Sequence, residues 1–179
     1  MKQRIVLMPA CMEDVDLIVD VKSDTSLWIF EDDVPTDKNA LRKSVISRIE
    51  SDWYKQYIIK LNTTQAPTIG LFHVHWYIME RRSWEIGYCI FPEYRGKGYC
   101  VEAAKMVLKY TFEELNAHKV VAMCNQYNIA SYKVIEKLGM RREGVFKEEL
   151  PWQNKWADQF FYCILATEYQ KINALNKQI

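Results

Sequence analysis

Two hydrophobic rhythms alternate along the chain, one repeating every second residue and one every third or fourth. Arg4 to Met8 reads as a first strand, stopped by Pro9. From Glu13 to Lys22, the residues Val15, Ile18 and Val21 predict a short helix, and Leu41, Val45, Ile49 and Trp53 predict a second, amphipathic one. The stretch between them, Ser23 to Thr36, is a loop holding Trp28, Phe30 and the acidic run Glu31-Asp32-Asp33. A loop of that mixture either tucks its aromatics into the core or uses them at a mouth. Tyr57 to Leu61 is a strand, and Asn62 to Pro67 is a polar turn that can close a hairpin. In Ile69 to Tyr77, Phe72, Val74 and Trp76 share one face, while Leu71, His73, His75 and Tyr77 share the other. A charged turn, Glu80 to Ser83, leads into a strand over 84–91.

Beyond it the pattern gives a helix over 99–116, on which Val101, Ala104, Leu108, Phe112 and Leu115 recur, then a strand over 119–124. A helix over 128–138 follows, with Asn128 suited to its N-cap and Gly139 to its C-cap. Two strands, near 143–149 and 158–168, end the pattern. The strand–helix–strand crossover makes the strands at 84 and 119 parallel, whereas the early hairpins pair antiparallel. The expected fold is a mixed, largely antiparallel α/β sheet with flanking helices. Neither an internal repeat nor a linker interrupts it, so residues 1–179 read as a single domain.

Composition narrows the functional classes. Hydrophobic content of 49% and charged content of 26% are those of an ordinary globular domain. A net charge of +1 supplies no field for nucleic acid or for a membrane surface, and neither is expected as a partner. No apolar run approaches the roughly 18–20 residues of a membrane helix. The first residues lack the apolar core of a signal peptide, so a cytoplasmic location is expected. Cysteines at 11, 89, 100, 124 and 163 show no C-x-x-C spacing, which argues for neither a disulfide framework nor a zinc site. His73 and His75 lack a third ligand at recognisable spacing, and no metal is expected. Cys100, near a helix start, is the one thiol whose pKa could fall, but no Cys/His/Asp arrangement accompanies it.

The candidate chemistry lies in Glu93-Tyr-Arg-Gly-Lys-Gly-Tyr-Cys100, between a strand and a helix. That order aims a row of backbone N–H groups at one point, where the helix dipole adds partial positive charge. Glycines at 96 and 98 permit the sharp turn and leave no Cβ before the amides; Arg95 and Lys97 can add whole charges. A phosphate or pyrophosphate is the guest that such a turn suits. Neither the G-x-G-x-x-G loop nor a Gly-Lys-Ser/Thr ending is present, because Val101 stands third after Gly98.

Read together, Glu85-Ile-Gly-Tyr, Pro92-Glu-Tyr-Arg-Gly-Lys-Gly-Tyr, Glu102-Ala-Ala, Asn128-Ile-Ala-Ser131, Glu136-Lys-Leu-Gly-Met140 and Glu143-Gly144 resemble the GNAT N-acetyltransferases. The likeness spans Arg4 to about Tyr169 and is most like the ribosomal-protein N-terminal acetyltransferase branch. It implies the GNAT fold, with a splayed pair of parallel strands, and acetyl-CoA as co-substrate. Carried over by position, Cys89 and Phe91 would hold the pantetheine arm by their backbones, and the Cys89 N–H would face the thioester carbonyl. Arg95, Gly96, Lys97, Gly98, Tyr99 and Cys100 would cradle the pyrophosphate. Glu93 stands where the family pattern begins with Arg or Gln, which removes one electrostatic contact.

The reaction implied is direct attack of a neutral amine on the thioester, for which a base must take the amine's proton. Glu85 matches a glutamate base of the family, or else orders strand and loop groups; Glu148 and Glu149 are rivals for the role. Ser131 would protonate the leaving thiolate, since the family's usual tyrosine position is Ile135, or else is a polar residue of the first turn. Asn128 would touch the pantetheine arm, cap its helix, or do both. The acceptor is a protein N-terminus, as on a ribosomal protein, or a small amine such as a polyamine, an amino acid or an aminoglycoside. A non-catalytic acyl-CoA sensor is the alternative from another class. Family analogy also admits a homodimer.

Overall fold

The computed structural model describes residues 3–176. The elements run β1 (Ile5–Pro9), α1 (Val15–Ser23), α2 (Lys38–Ile49), β2 (Tyr54–Leu61), β3 (Thr68–Ile78), β4 (Ser83–Ile90), α3 (Tyr99–Glu113), β5 (Lys119–Asn125), α4 (Ile129–Lys137), β6 (Arg141–Trp152), β7 (Lys155–Leu165) and α5 (Ala166–Asn176). The strands form a seven-stranded sheet in the order β1-β2-β3-β4-β5-β7-β6, antiparallel except between β4 and β5.

Strand alternation feeds two cores. Ile58 of β2 and Leu71 of β3 point to a layer built from α1 and α2, with Ile18, Val19, Leu41 and Val45. Their neighbours Ile59 and Phe72 point the other way, onto α3, α4 and α5. Ala103 and Ala104, both fully buried, let α3 lie close on that face, where Val107 and Leu108 also dock. Val107 and Leu108 each contribute roughly 1.5–3 kcal/mol on burial. Asp37 caps α2 by accepting the N–H groups of Asn39 and Ala40 at 2.9 and 3.0 Å.

Three boundaries differ from the sequence expectation. The helix expected to include Trp53 ends at Ile49; Trp53 lies in the turn before β2, largely exposed, with its ring edge-on to Tyr54. Strands β6 and β7 run on to a tight hairpin whose turn residues, Gln153 and Asn154, both have positive φ. Pro151 does not break β6, because β6 is the edge of the sheet. The last strand stops at Leu165 instead of 168, and α5 follows it. Glu168 starts that helix by reaching back to the Leu165 N–H at 2.8 Å, half of a capping box.

One feature of the sheet positions the site. The parallel ladder between β4 and β5 covers only Ser83↔Lys119 to Glu85↔Val121, while β5 stays paired with β7 as far as Asn125. Past Glu85 the two central strands part, and α3 and α4 both begin beside that opening.

Candidate active site

On one side of the opening lies the glycine turn. Gly96 and Gly98 have φ of 74° and 81°, a region closed to most side chains, and a Cβ on Gly96 would meet nothing within 4 Å. Among the described residues, no acceptor takes the amides of Gly96, Lys97, Gly98, Tyr99 or Cys100. Five N–H groups at the head of the fifteen-residue helix α3 are therefore left without an acceptor. The Arg95 amide differs: it donates to Pro92 O at 3.2 Å, so the free row begins one residue later than the motif implied. The Arg95 side chain donates through Nε to Ile90 O (2.8 Å), and Lys97 Nζ to Glu93 O (3.0 Å), so both cations also brace the turn. Arg4 supports it from beneath. Its guanidinium pairs with Glu102 at 2.9 Å, donates to Lys97 O at 3.0 Å and lies over the Tyr99 ring.

The backbone register decides which groups of β4 enter the gap. Arg82 O accepts from His118 N at 2.9 Å, toward β5, whereas Phe91 N donates to Ile69 O at 2.9 Å, toward β3. Backbone groups alternate sides along a strand, so the even-numbered residues of β4 face β5 and the odd-numbered ones face β3. Past the ladder, Ile86, Tyr88 and Ile90 are the residues whose backbone faces the opening. Cys89 and Phe91, placed there by position along the motif, are turned to β3 instead. A count along the motif is blind to this, because a one-residue error reverses every backbone group.

Ser131 and Asn128 stand on the far wall. Asn128 Oδ1 accepts the Ser131 N–H at 3.1 Å, so Asn128 caps α4, and its amide nitrogen has no partner among the described residues. Tyr88 reaches across from β4, its hydroxyl 3.1 Å from both the carbonyl and the Oγ of Ser131. Burial pushes that phenol far above its usual pKa. Ile135 is buried in the core. Burial also pushes Cys124 up to about 12 and Cys89 to about 11, and drives Cys100 higher still. Desolvation outweighs the helix start at Cys100, and these thiols are packing groups.

The other face of the sheet carries the titratable cluster. Glu85 is a quarter exposed, and its pKa is raised to about 7, first by desolvation and then by the charge of Glu31. Glu31 is exposed on the loop between α1 and α2; desolvation, then Asp32, raises its own pKa. His75 Nε2 lies 3.7 Å from Glu85 Oε2. Burial and the cations Arg48 and Lys22 hold His75 down to about 4, so it is neutral at physiological pH. His73 is also neutral for the same reasons and covers Gly87, where any Cβ would come within 2.3 Å of its ring. Glu148 and Glu149 are exposed on the outer strand β6.

Over this cluster the loop between α1 and α2 is tied down. Trp28 is tucked under, donating Nε1–H to Val21 O at 2.7 Å. Phe30 is at the mouth, stacked on Trp152 from the β6–β7 hairpin at 5.8 Å. Trp152 donates Nε1–H to Ile29 O (2.7 Å) and stacks on Tyr127 (4.6 Å), and Asn125 Nδ2 reaches Phe30 O (3.3 Å). Both outcomes foreseen for this loop's aromatics occur, one in each ring. His75 had no signal in the motifs, and Tyr88, which ends the Glu85-Ile-Gly-Tyr motif, was given no role there; only the fold brings them to Glu85 and Ser131.

Residues 4–141 match the family described as acetyltransferase (GNAT) domain. The chain is 33% identical over 168 residues to the uncharacterized N-acetyltransferase YnaD of Bacillus subtilis, covering 93% of this chain and 96% of that protein. It is 25% identical over 115 residues to the spermidine N(1)-acetyltransferase of Escherichia coli, covering 64% and 60% of the two chains. In fold it matches a spermidine N-acetyltransferase from Vibrio cholerae, solved with CoA and spermine, at a TM-score of 0.85 and 21% identity over 94% of this chain and 99% of that one. With the free amides, the open cradle and the parted strands, the family match leads to one statement: the chain belongs to the GNAT acetyltransferases and is an acyltransferase whose co-substrate is acetyl-CoA.

Proposed function

We propose that this acetyltransferase acetylates a primary amine of a small cationic molecule, a diamine or polyamine. The carrying observation is the pair of carboxylates, Glu85 and Glu31, held within electrostatic reach of each other beneath the Phe30–Trp152 roof. A cation entering there relieves their repulsion, and the loop that carries Glu31 is held to the β6–β7 hairpin through Phe30 and Trp152. The spermidine acetyltransferase among the relatives accords with this reading.

Glu85 takes the proton of the attacking amine. A carboxylate poised near 7 is ionised often enough to accept a proton and basic enough to hold it. The amides of Gly96 to Cys100 hold the pyrophosphate, with Arg95 and Lys97 adding charge and bracing the turn. Asn128 caps α4 with its oxygen and offers its amide to the pantetheine arm. The Tyr88 N–H, in place of that of Cys89, donates to the carbonyl oxygen as it gains charge, a contact of a kind that contributes several kcal/mol. Ser131 donates a hydrogen bond from its hydroxyl to the departing sulfur. Acetyl-CoA is an intracellular metabolite, so the reaction belongs in the cytoplasm.

The second reading is an N-terminal α-amine, as on a ribosomal protein, favoured by the motif order between 85 and 144. Release of CoA thiol across a panel of diamines, polyamines, amino acids and short peptides separates the two. Saturable turnover with diamines and little with peptides is expected. The reverse result transfers the protein to the N-terminal reading, and binding of acetyl-CoA with no turnover on any amine makes it a sensor.

A further inference from the structure

We infer that Tyr88 is a positioning residue for the departure of CoA, acting through Ser131; this rests on Ser131 being the donor to the leaving sulfur. The phenol on β4 and the hydroxyl at the head of α4 belong to opposite walls of the opening, and their contact bridges those walls. Tyr88 Oη is 3.1 Å from Ser131 O, which can only accept, and 3.1 Å from Ser131 Oγ, where either oxygen can donate. A single phenolic hydrogen thus has two acceptors at equal distance.

Two hydrogen arrangements follow, with the same heavy atoms. In one, Tyr88 donates to the Ser131 carbonyl and the serine hydrogen turns toward Tyr88. In the other, Tyr88 donates to Ser131 Oγ, and the serine hydrogen is free to point into the opening. The rest of Ser131 is fixed, because its N–H is held by Asn128 at 3.1 Å. Among the described residues its hydroxyl has Tyr88 as its one partner. As the carbon–sulfur bond breaks, its electron pair stays on sulfur. The Ser131 hydrogen swings to that sulfur while the Tyr88 hydrogen swings from the carbonyl to Oγ. No covalent O–H bond breaks; the amine's proton rests on Glu85, and the thiolate leaves as an anion that takes its proton from water. The switch needs only hydroxyl rotation, so the response to the new charge involves no reorganisation of the walls.

Tyr88→Phe keeps the ring and the backbone N–H and removes only the switching hydroxyl. The test is a cycle of wild type, Tyr88→Phe, Ser131→Ala and the double variant, each assayed for kcat, KM and the acetyl-CoA-induced rise in melting temperature. The expected result is about a tenfold fall in kcat for Tyr88→Phe, with KM for acetyl-CoA and the melting rise unchanged. Ser131→Ala should fall about a hundredfold, and the double variant should be no slower than Ser131→Ala alone. Wild-type kcat in Tyr88→Phe overturns the inference. So does a full further tenfold loss in the double variant, which would show Tyr88 acting independently of Ser131. Wild-type turnover in Ser131→Ala removes the donor reading and this inference with it, while leaving the base and cradle assignments standing.

Discussion

The two halves of the site are made of different materials. The proposed cofactor half is backbone: five amides at the head of α3, the unpaired edge of β4, and two glycines that keep the approach open. The proposed acceptor half is side chain: Glu85 and His75 from neighbouring strands, Glu31 and Phe30 from a loop, Trp152 from a distant hairpin. Backbone geometry follows from a contiguous stretch of sequence, so the first half can be shared by many proteins. Side-chain geometry here also draws on segments more than a hundred residues apart, so no contiguous stretch of sequence encodes the second half. Ile29 and Trp152, which share a hydrogen bond, stand 123 residues apart.

That contrast can be broken at either end. The largest effect is expected in the cradle. Gly98→Glu puts a side chain on a left-handed backbone and a carboxylate where an anion must sit. Turnover should fall about a thousandfold or more, and the acetyl-CoA-induced rise in melting temperature should vanish. Gly98→Ala, which adds strain without charge, should fall between this variant and wild type.

Glu85→Gln strikes the acceptor half. It should lower kcat about a hundredfold while leaving the acetyl-CoA melting rise intact. In the wild type, kcat/KM should climb as pH rises through about 7, where Glu85 ionises, and the variant should lack that limb. Stability should move the other way. The folded protein holds this proton up to about 7, while the unfolded chain releases it near 4.5. The stabilisation is therefore full below 4.5 and is lost as pH rises to about 7, a change of about 3 kcal/mol. Urea midpoints measured across that range should fall in the wild type and stay flatter in Glu85→Gln. A variant no more stable than wild type at pH 8 would show that Glu85 is not strained there.

The smallest effect sharpens the comparison instead of breaking it. Trp152→Ala unties the loop from the hairpin. KM for a small amine should rise about fivefold to tenfold with kcat little changed, because the roof binds without touching the reacting atoms. Short peptides should gain as acceptors relative to diamines. If they do not, the roof is not what selects the acceptor.

Much of this was legible before any coordinates. Alternation set Phe72, Val74 and Trp76 of β3 apart from Leu71, and the crossover from 84 to 119 made β4 and β5 parallel. What escaped was local competition. Trp53 fits the helical repeat but follows the C-cap of α2, and α5 was hidden because Ile164 to Thr167 reads as β-like until Glu168 caps the turn. The free amides at 96–100 were foreseen; the loss of Arg95 from that row was not, since a short 3₁₀ turn claims its N–H.

By itself the sequence determined the order of elements from β1 to β7, the glycine turn before α3 and the family, because period, glycine placement and helix starts are properties of neighbouring residues. Tertiary structure alone decided that Tyr88 and not Cys89 turns its amide to the gap, that Tyr88 meets Ser131, and that the charge of Glu31 is felt at Glu85. Those outcomes depend on strand register and on loops docking across the sheet. Register reverses with a one-residue shift, and docking is fixed by burial of the whole surface. No local pattern carries either.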